Sequence, residues 1–164
     1  MIHQKILFTE NECKEIIKTY KKNNKLWVGK DRNYQSHDIE FSKETEWIFD
    51  RLKIFFENTI KLKIIKNKEI IHFHKYSEED WFGKHNDIKE KRLYAVGVLL
   101  NDEFSGGNFN FTDINITLDK HIGNTYVFNV ELNHEIEKIT QGERYSLLWF
   151  LDYNNIKTKT LNLI

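Results

Sequence analysis

The chain of 164 residues has no proline and one cysteine, Cys13. Without proline, its turns have to be built on other residues, chiefly Gly and Asn. With one cysteine no internal disulfide can form, and a reducing cytoplasm is the expected compartment. Neither sign of charge is in excess, since 25 Lys and Arg balance 25 Asp and Glu. A dominant, sequence-independent attraction to nucleic acid or to an anionic membrane is therefore not expected. No apolar run is long enough to span a bilayer, and Met1-Ile2-His3-Gln4-Lys5 lacks the pattern of a signal peptide. Internal repeats, low-complexity segments and interdomain linkers are also missing. What remains is a globular composition, 40% hydrophobic, on a length that suits one domain over residues 1–164.

The first part of the chain, to about residue 62, reads as helical. Thr9 with Glu12 forms a capping box, so a helix should begin there and bury Cys13, Ile16, Ile17 and Tyr20. Leu26-Trp27-Val28-Gly29 suggests a short strand, and residues 31–38 an irregular loop, whose polar and aromatic groups suit contact with a substrate but equally a plain connection. A second helix is expected from Ser42, as N-cap, to about Thr59, with Ile48, Leu52, Phe55 and Phe56 on its packed face. From Glu69 to about residue 152 the pattern changes to strands. Ile71, Phe73 and Lys75 alternate with His72, His74 and Tyr76. Arg92 to Leu100 is a nearly continuous apolar run, as in a strand buried on both faces. Residues 101–107 and 119–124 read as turns, and His134 to Ile139 as one strand. In the last strand, Arg144, Ser146, Leu148 and Phe150 share one face, with Tyr145, Leu147, Trp149 and Leu151 on the outer one. Many short strands with Gly and Asn turns predict a mainly β fold, two helices laid against a jelly-roll-like double sheet.

The chemistry centres on Trp81-Phe82-Gly83-Lys84-His85-Asn86-Asp87. In extended chain, His85 and Asp87 point to one side. An imidazole and a carboxylate so aimed are two members of the facial triad that holds non-haem iron(II). A third ligand has to come from a distant strand, and His134 opens one. Arg144 on an inward face would carry a buried charge with no anionic neighbour in sequence. A dicarboxylate would supply that neighbour through paired hydrogen bonds to the guanidinium, and Ser146 could add a hydroxyl. His72 and His74 share the face of Tyr76 and are candidates for lining the cavity rather than for binding metal. Gly106, Gly107 and Gly123 suit turns with φ > 0.

In these residues the chain resembles the Fe(II)- and 2-oxoglutarate-dependent oxygenases of the prolyl 4-hydroxylase-like branch. The resemblance rests on His85-x-Asp87, on Phe104-Ser105-Gly106-Gly107 followed by Phe109 and Phe111, on Gly123 before Val127-Phe128, on His134, and on Gly142-Glu143-Arg144-Tyr145-Ser146-Leu147. It covers about residues 70–152 and implies a double-stranded β-helix core. It implies that His85, Asp87 and His134 hold Fe(2+), that Arg144 binds the distal carboxylate of 2-oxoglutarate with Ser146 in support, and that Tyr76 hydrogen-bonds the cosubstrate. Dioxygen is then the oxidant, ascorbate a candidate accessory, and succinate and CO2 the coproducts of hydroxylating an unactivated C–H bond.

Two positions depart from the family pattern. Collagen-type members place a lysine where Arg144 stands, and Leu99 takes the place of a second cosubstrate tyrosine. The resemblance implies a prolyl or other side chain of a protein or peptide as substrate. The alternatives are a free amino acid or small metabolite, and a catalytically silent jelly-roll binding module. A nucleic-acid demethylase is disfavoured, because no arginine follows Arg144. A cupin would show His-x-His where Asn86-Asp87 stands, and zinc would accept the same ligands as iron.

Overall fold

The computed structural model describes residues 2–22, 24–65, 70–89 and 91–157. The expected onset of the strand series at Glu69 and the ends of the 1–164 domain fall outside them. In chain order the elements are β1 (His3–Ile6), α1 (Glu10–Tyr20), β2 (Lys25–Gly29), β3 (Arg32–Ile39), α2 (Glu46–Ile60), β4 (Lys63–Ile64), β5 (Ile71–Tyr76), β6 (Trp81–His85), β7 (Arg92–Leu99), β8 (Phe104–Gly106), β9 (Phe109–Phe111), β10 (Ile116–Thr117), β11 (Asn124–Asn129), β12 (His134–Ile136), β13 (Ile139–Gly142), β14 (Arg144–Asp152) and β15 (Ile156–Lys157).

One antiparallel sheet runs β1-β11-β7-β14-β5-β3-β6-β12-β9-β10. β3 is where it curls. Gln35 to Ile39 pair with β5, whereas Arg32 and Asn33 pair with Phe82 and Trp81 of β6. The sheet thus folds back as two facing arms, the mainly β, jelly-roll-like architecture expected from the strand pattern. Alternation along each strand sorts the side chains. Ile71, Phe73, Val96, Val98, Leu147, Trp149 and Leu151 pack outward against Cys13 and Ile16 of α1 and Ile48, Phe49, Leu52, Phe55 and Phe56 of α2. The opposite face turns Tyr76, Leu99, Tyr126 and Phe128 inward, against Phe109, Phe111 and Ile136 of the other arm.

The capping box at α1 forms as expected: Thr9 Oγ1 accepts from the Glu12 amide at 3.3 Å, and Glu12 Oε2 accepts from the Thr9 amide at 2.8 Å. Arg51 of α2 donates to the same Glu12 oxygen at 2.6 Å, and this bond leads the interactions that hold the Glu12 carboxyl at about 2. Thr9→Ala removes the cap and is expected to cost about 1 kcal/mol in urea unfolding. Gly123, at φ 77°, seals the entry to α1. A Cβ there would lie 1.9 Å from the Phe8 carbonyl oxygen, so the turn can close on the chain only as glycine.

The structure corrects several sequence expectations. Residues 31–38 are not a loop; all but the turn at its start belongs to β3. Polar composition hid this strand, because Tyr34 and Ser36 point into a polar cavity instead of an apolar core. The N-cap of α2 is Thr45, not Ser42. Residues 42–45 make a separate turn, in which Thr45 Oγ1 accepts from the Ser42 amide at 2.8 Å and donates to the Glu40 carbonyl at 2.7 Å. The turn expected over 101–107 contains β8. The strand expected over 134–139 is two: β12 pairs with β6 and β9, and β13 leaves to pair with β8. Strands β1, β4, β10 and β15 had no sequence signal, being short and covering little apolar surface.

Candidate metal and carboxylate site

His85 ends β6 and His134 opens β12, and the two face each other in register across those neighbouring strands. Asp87 lies two residues beyond His85, fixed by its amide, which donates to the Val130 carbonyl at 3.0 Å. One ligand atom from each of the three comes within 4.8 Å of the others. The imidazoles are oriented before any ligand arrives. His85 Nδ1 lies 2.7 Å from the Gly83 carbonyl, and His134 Nδ1 2.9 Å from the Leu132 carbonyl. A carbonyl only accepts, so each Nδ1 carries a proton and each ring turns its Nε2 toward Asp87. Phe82 stacks on His85 with centroids 3.6 Å apart, and Phe109 lies parallel to His134 at 5.1 Å.

These three residues fit a metal ion. His134 Nε2 stands 3.3 Å from Asp87 Oδ2, and His85 Nε2 stands 3.8 Å from Asp87 Oδ1. Buried acceptors at such distances repel unless a cation, a proton on nitrogen or a metal ion, lies between them. Asp87 Oδ2 is itself buried without a hydrogen-bond partner. Burial pushes the Asp87 carboxyl up, but His134, His85 and Arg92 outweigh it and hold the group ionised, below its ordinary range. Burial, then the neighbouring His134, keeps His85 below its ordinary value and so neutral. Two imidazoles and a carboxylate are the donor set of an iron(II) or zinc site that keeps positions open.

On the facing strands, β14 presents Arg144, Ser146 and Leu148 opposite Tyr76, His74 and His72 of β5. Arg144 is 3% exposed. Its Nη1 donates to Ser146 Oγ at 2.9 Å, and its guanidinium lies 5.5 Å from the Tyr76 ring centre. Nε has no partner, and no ion pair among the described residues includes Arg144. A buried guanidinium left this way fits a carboxylate from outside the chain.

All six sequence-derived site residues, His85, Asp87, His134, Arg144, Ser146 and Tyr76, line one cavity of about 770 Å³. His72 and His74 line it too, as their shared face with Tyr76 implied. His74 is half-buried, and desolvation, followed by His72 and Arg144 beside it, lowers its pKa to about 3. The folded chain therefore keeps His74 neutral where the unfolded chain, near 6.5, takes up a proton. Stability should be complete above pH 6.5 and fall as pH drops toward 3, with a slope of up to about 1.4 kcal/mol per unit from this group. His74→Gln is expected to flatten that part of the pH profile in thermal melts.

Arg32, Tyr34 and Asp38, from the 31–38 segment read as suited to substrate contact, also line the cavity, beside residues without a sequence signal. Trp27, Arg32, Tyr34 and Asp38 stand on the β2–β3 hairpin, and Tyr34 extends a ring stack from Tyr76 to Phe82, with centroids 5.2 and 5.4 Å apart. Asp38 Oδ1 meets His72 Nδ1 at 2.8 Å. Arg92 lies 3.6 Å over the Phe150 ring, and Tyr126 comes from β11. For Tyr126 one clue was present: Gly97, a glycine inside an apolar strand, marks a close approach.

No family model and no curated protein matches the sequence. Solved structures do match in fold. A viral collagen prolyl hydroxylase from Paramecium bursaria Chlorella virus-1, solved with 2-oxoglutarate, superposes with a TM-score of 0.75 at 19% identity, over 91% of this chain and 94% of that one. A Pseudomonas putida prolyl-4-hydroxylase gives 0.75 at 16% identity, over 92% of each chain. A Trichoplax adhaerens prolyl hydroxylase, bound to a peptide fragment of a hypoxia-inducible factor degradation domain, gives 0.68 at 16%, over 93% of this chain and 84% of that one. The chain thus has the fold that its sequence resemblance implied, a double-stranded β-helix core with helices packed on one arm.

Proposed function

We propose that this chain is an Fe(II)- and 2-oxoglutarate-dependent dioxygenase that hydroxylates an unactivated C–H bond. The observation that carries the reading is the pairing, in one cavity, of a three-ligand metal site with a buried arginine that lacks a counter-charge. His85, Asp87 and His134 would hold the metal. Arg144 and Ser146 would receive the distal carboxylate, and Tyr76, directly across from Arg144, would flank the cosubstrate. With iron and 2-oxoglutarate bound, the site supplies dioxygen activation coupled to decarboxylation, with succinate and CO2 as coproducts. The chain's own part is to orient and enclose. The Nδ1 bonds aim both imidazoles, Phe82 and Phe109 fix the ring planes, and the phenylalanines of the inner core keep water from the ligands' inner side.

The substrate side is the wall formed by the β2–β3 hairpin, His72, Arg92 and Phe150. Guanidinium and imidazole groups set among aromatic rings suit a peptide, whose carbonyls accept and whose side chains pack, and the three fold relatives are prolyl hydroxylases. A prolyl or other side chain of a protein or peptide is therefore the preferred substrate. A free amino acid or small metabolite is the second reading, supported by Asp38 and Arg92 on that wall, opposite charges that match a zwitterion. No helix among the described residues is long and apolar enough to cross a membrane.

The test is anaerobic. Iron(II) and 2-oxoglutarate added to metal-free protein should produce a visible charge-transfer band that His85→Ala abolishes. If no band forms and neither component binds, the dioxygenase reading is wrong and a silent binding module takes its place. With the band in hand, proline-containing peptides are compared with free amino acids as stimulants of succinate release.

A further inference from the structure

We propose that Tyr126 is a third donor to the carboxylate seat of Arg144 and Ser146, and that Gly97 is the residue that lets it reach. The proposal rests on the dioxygenase reading and assigns one more residue to that site. Tyr126 sits on β11, and its cross-strand partner on β7 is Gly97; on the far side of Gly97 lies Leu148 of β14. The Tyr126 ring bends over this gap. A Cβ at position 97 would fall 2.3 Å from Tyr126 Cζ and 2.4 Å from its hydroxyl oxygen, so the ring lies where any side chain on β7 would stand. Spanning β7 in this way, the ring reaches toward β14, and Tyr126 and Arg144 together line a second, small cavity beside Leu99. Tyr126 is 3% exposed and lines the same cavity. Leu99, the next inward residue of β7 and the cross-strand partner of Ser146, offers no polar atom.

The hydrogen bonds suit an anion. Ser146 Oγ accepts from the Arg144 guanidinium, which leaves its own proton to donate. Burial disfavours ionisation of the Tyr126 phenol, so its hydroxyl keeps a proton to donate. Two hydroxyl protons and the unpartnered Arg144 Nε then remain for a ligand with two acceptor oxygens.

The experiment measures anaerobic binding of 2-oxoglutarate to the iron(II)-loaded protein by tryptophan fluorescence, beside 2-oxovalerate, which lacks the distal carboxylate. Tyr126→Phe is expected to weaken 2-oxoglutarate by about tenfold or more, as for loss of one hydrogen bond to a charged group. Its 2-oxovalerate affinity should match wild type, a selectivity that a packing role would not produce. Gly97→Ala keeps the hydroxyl but pushes the ring off β7, and should show the same carboxylate-selective loss. If both variants bind 2-oxoglutarate within twofold of wild type while Arg144→Ala is impaired, Tyr126 only packs, and the proposal fails with the dioxygenase reading intact. Equal weakening of both ligands also overturns it. If wild type itself binds no 2-oxoglutarate, the reading beneath the proposal has failed.

Discussion

Replacing Arg144 with methionine is expected to cost the chain its affinity for 2-oxoglutarate while leaving the fold at least as stable. The two effects have one cause. Arg144 is almost wholly enclosed, its Nε is unpartnered, and its one hydrogen bond among the described side chains goes to a neutral hydroxyl. A charge desolvated in this way destabilises the unliganded chain, and a flexible apolar side chain of similar length removes that penalty. The loss falls on binding. A dicarboxylate entering the cavity would meet no cation at the seat, and removing one partner of a buried charged pair costs on the order of 2–5 kcal/mol, so a weakening of about a hundredfold is expected. Arg144→Lys keeps the charge but loses the planar fork and should fall between. Two measurements check this: thermal melts without ligand, where Arg144→Met should melt at or above the wild-type temperature, and melts with 2-oxoglutarate, where only wild type should gain. A fall in the unliganded melting temperature with undiminished ligand stabilisation would make Arg144 a structural residue.

Arg144 also shows why the site was more legible than the fold around it. Its chemistry follows from residue type and strand alternation alone. An arginine at that phase of Arg144–Asp152 shares a face with Ser146, Leu148 and Phe150, and the structure finds all four lining the cavity. His85 and Asp87 were legible because extended chain sends alternate side chains to one side, and His134 because it opens a strand. The helices were legible for similar reasons, through apolar spacing and the Thr9 capping box. Of the β2–β3 hairpin only β2 was legible, as the short strand at Leu26-Trp27-Val28-Gly29, and β3 was not. Periodicity reports apolar burial, and the inward face of β3 buries Tyr34 and Ser36 against a polar cavity. Tyr126 was legible only as a strand residue. Its place at the seat depends on Gly97 opposite it, and that register, β11 on β7 on β14, is a property of the assembled sheet. The split of His134–Ile139 into two strands had the same origin, since the partners that draw β12 and β13 apart are distant in sequence.

The largest effect is expected at Asp87. Asp87→Asn preserves shape and removes the only negative charge of the triad. In the metal-free chain this should be tolerated, because the group lost is a buried carboxylate with an unpartnered oxygen, facing His134 Nε2 at 3.3 Å. Metal binding should suffer far more. Loss of an outer partner of a metal ligand typically costs about 10- to 100-fold in affinity, and a direct ligand carrying the charge should cost more than that. The iron chelate band and 2-oxoglutarate-dependent turnover should both disappear at iron concentrations that saturate wild type. The two histidines provide the control. Phe82 and Phe109 hold their rings and backbone carbonyls hold their Nδ1 atoms, so Asp87→Asn leaves both Nε2 atoms where they were. Zinc or cobalt(II), which accept imidazole well, should still bind weakly to Asp87→Asn and not at all to the double variant His85→Ala/His134→Ala. Cobalt(II) makes the difference visible in its absorption spectrum. Retention of wild-type iron affinity by Asp87→Asn would mean that the carboxylate is not a ligand, and the three-residue site would have to be abandoned.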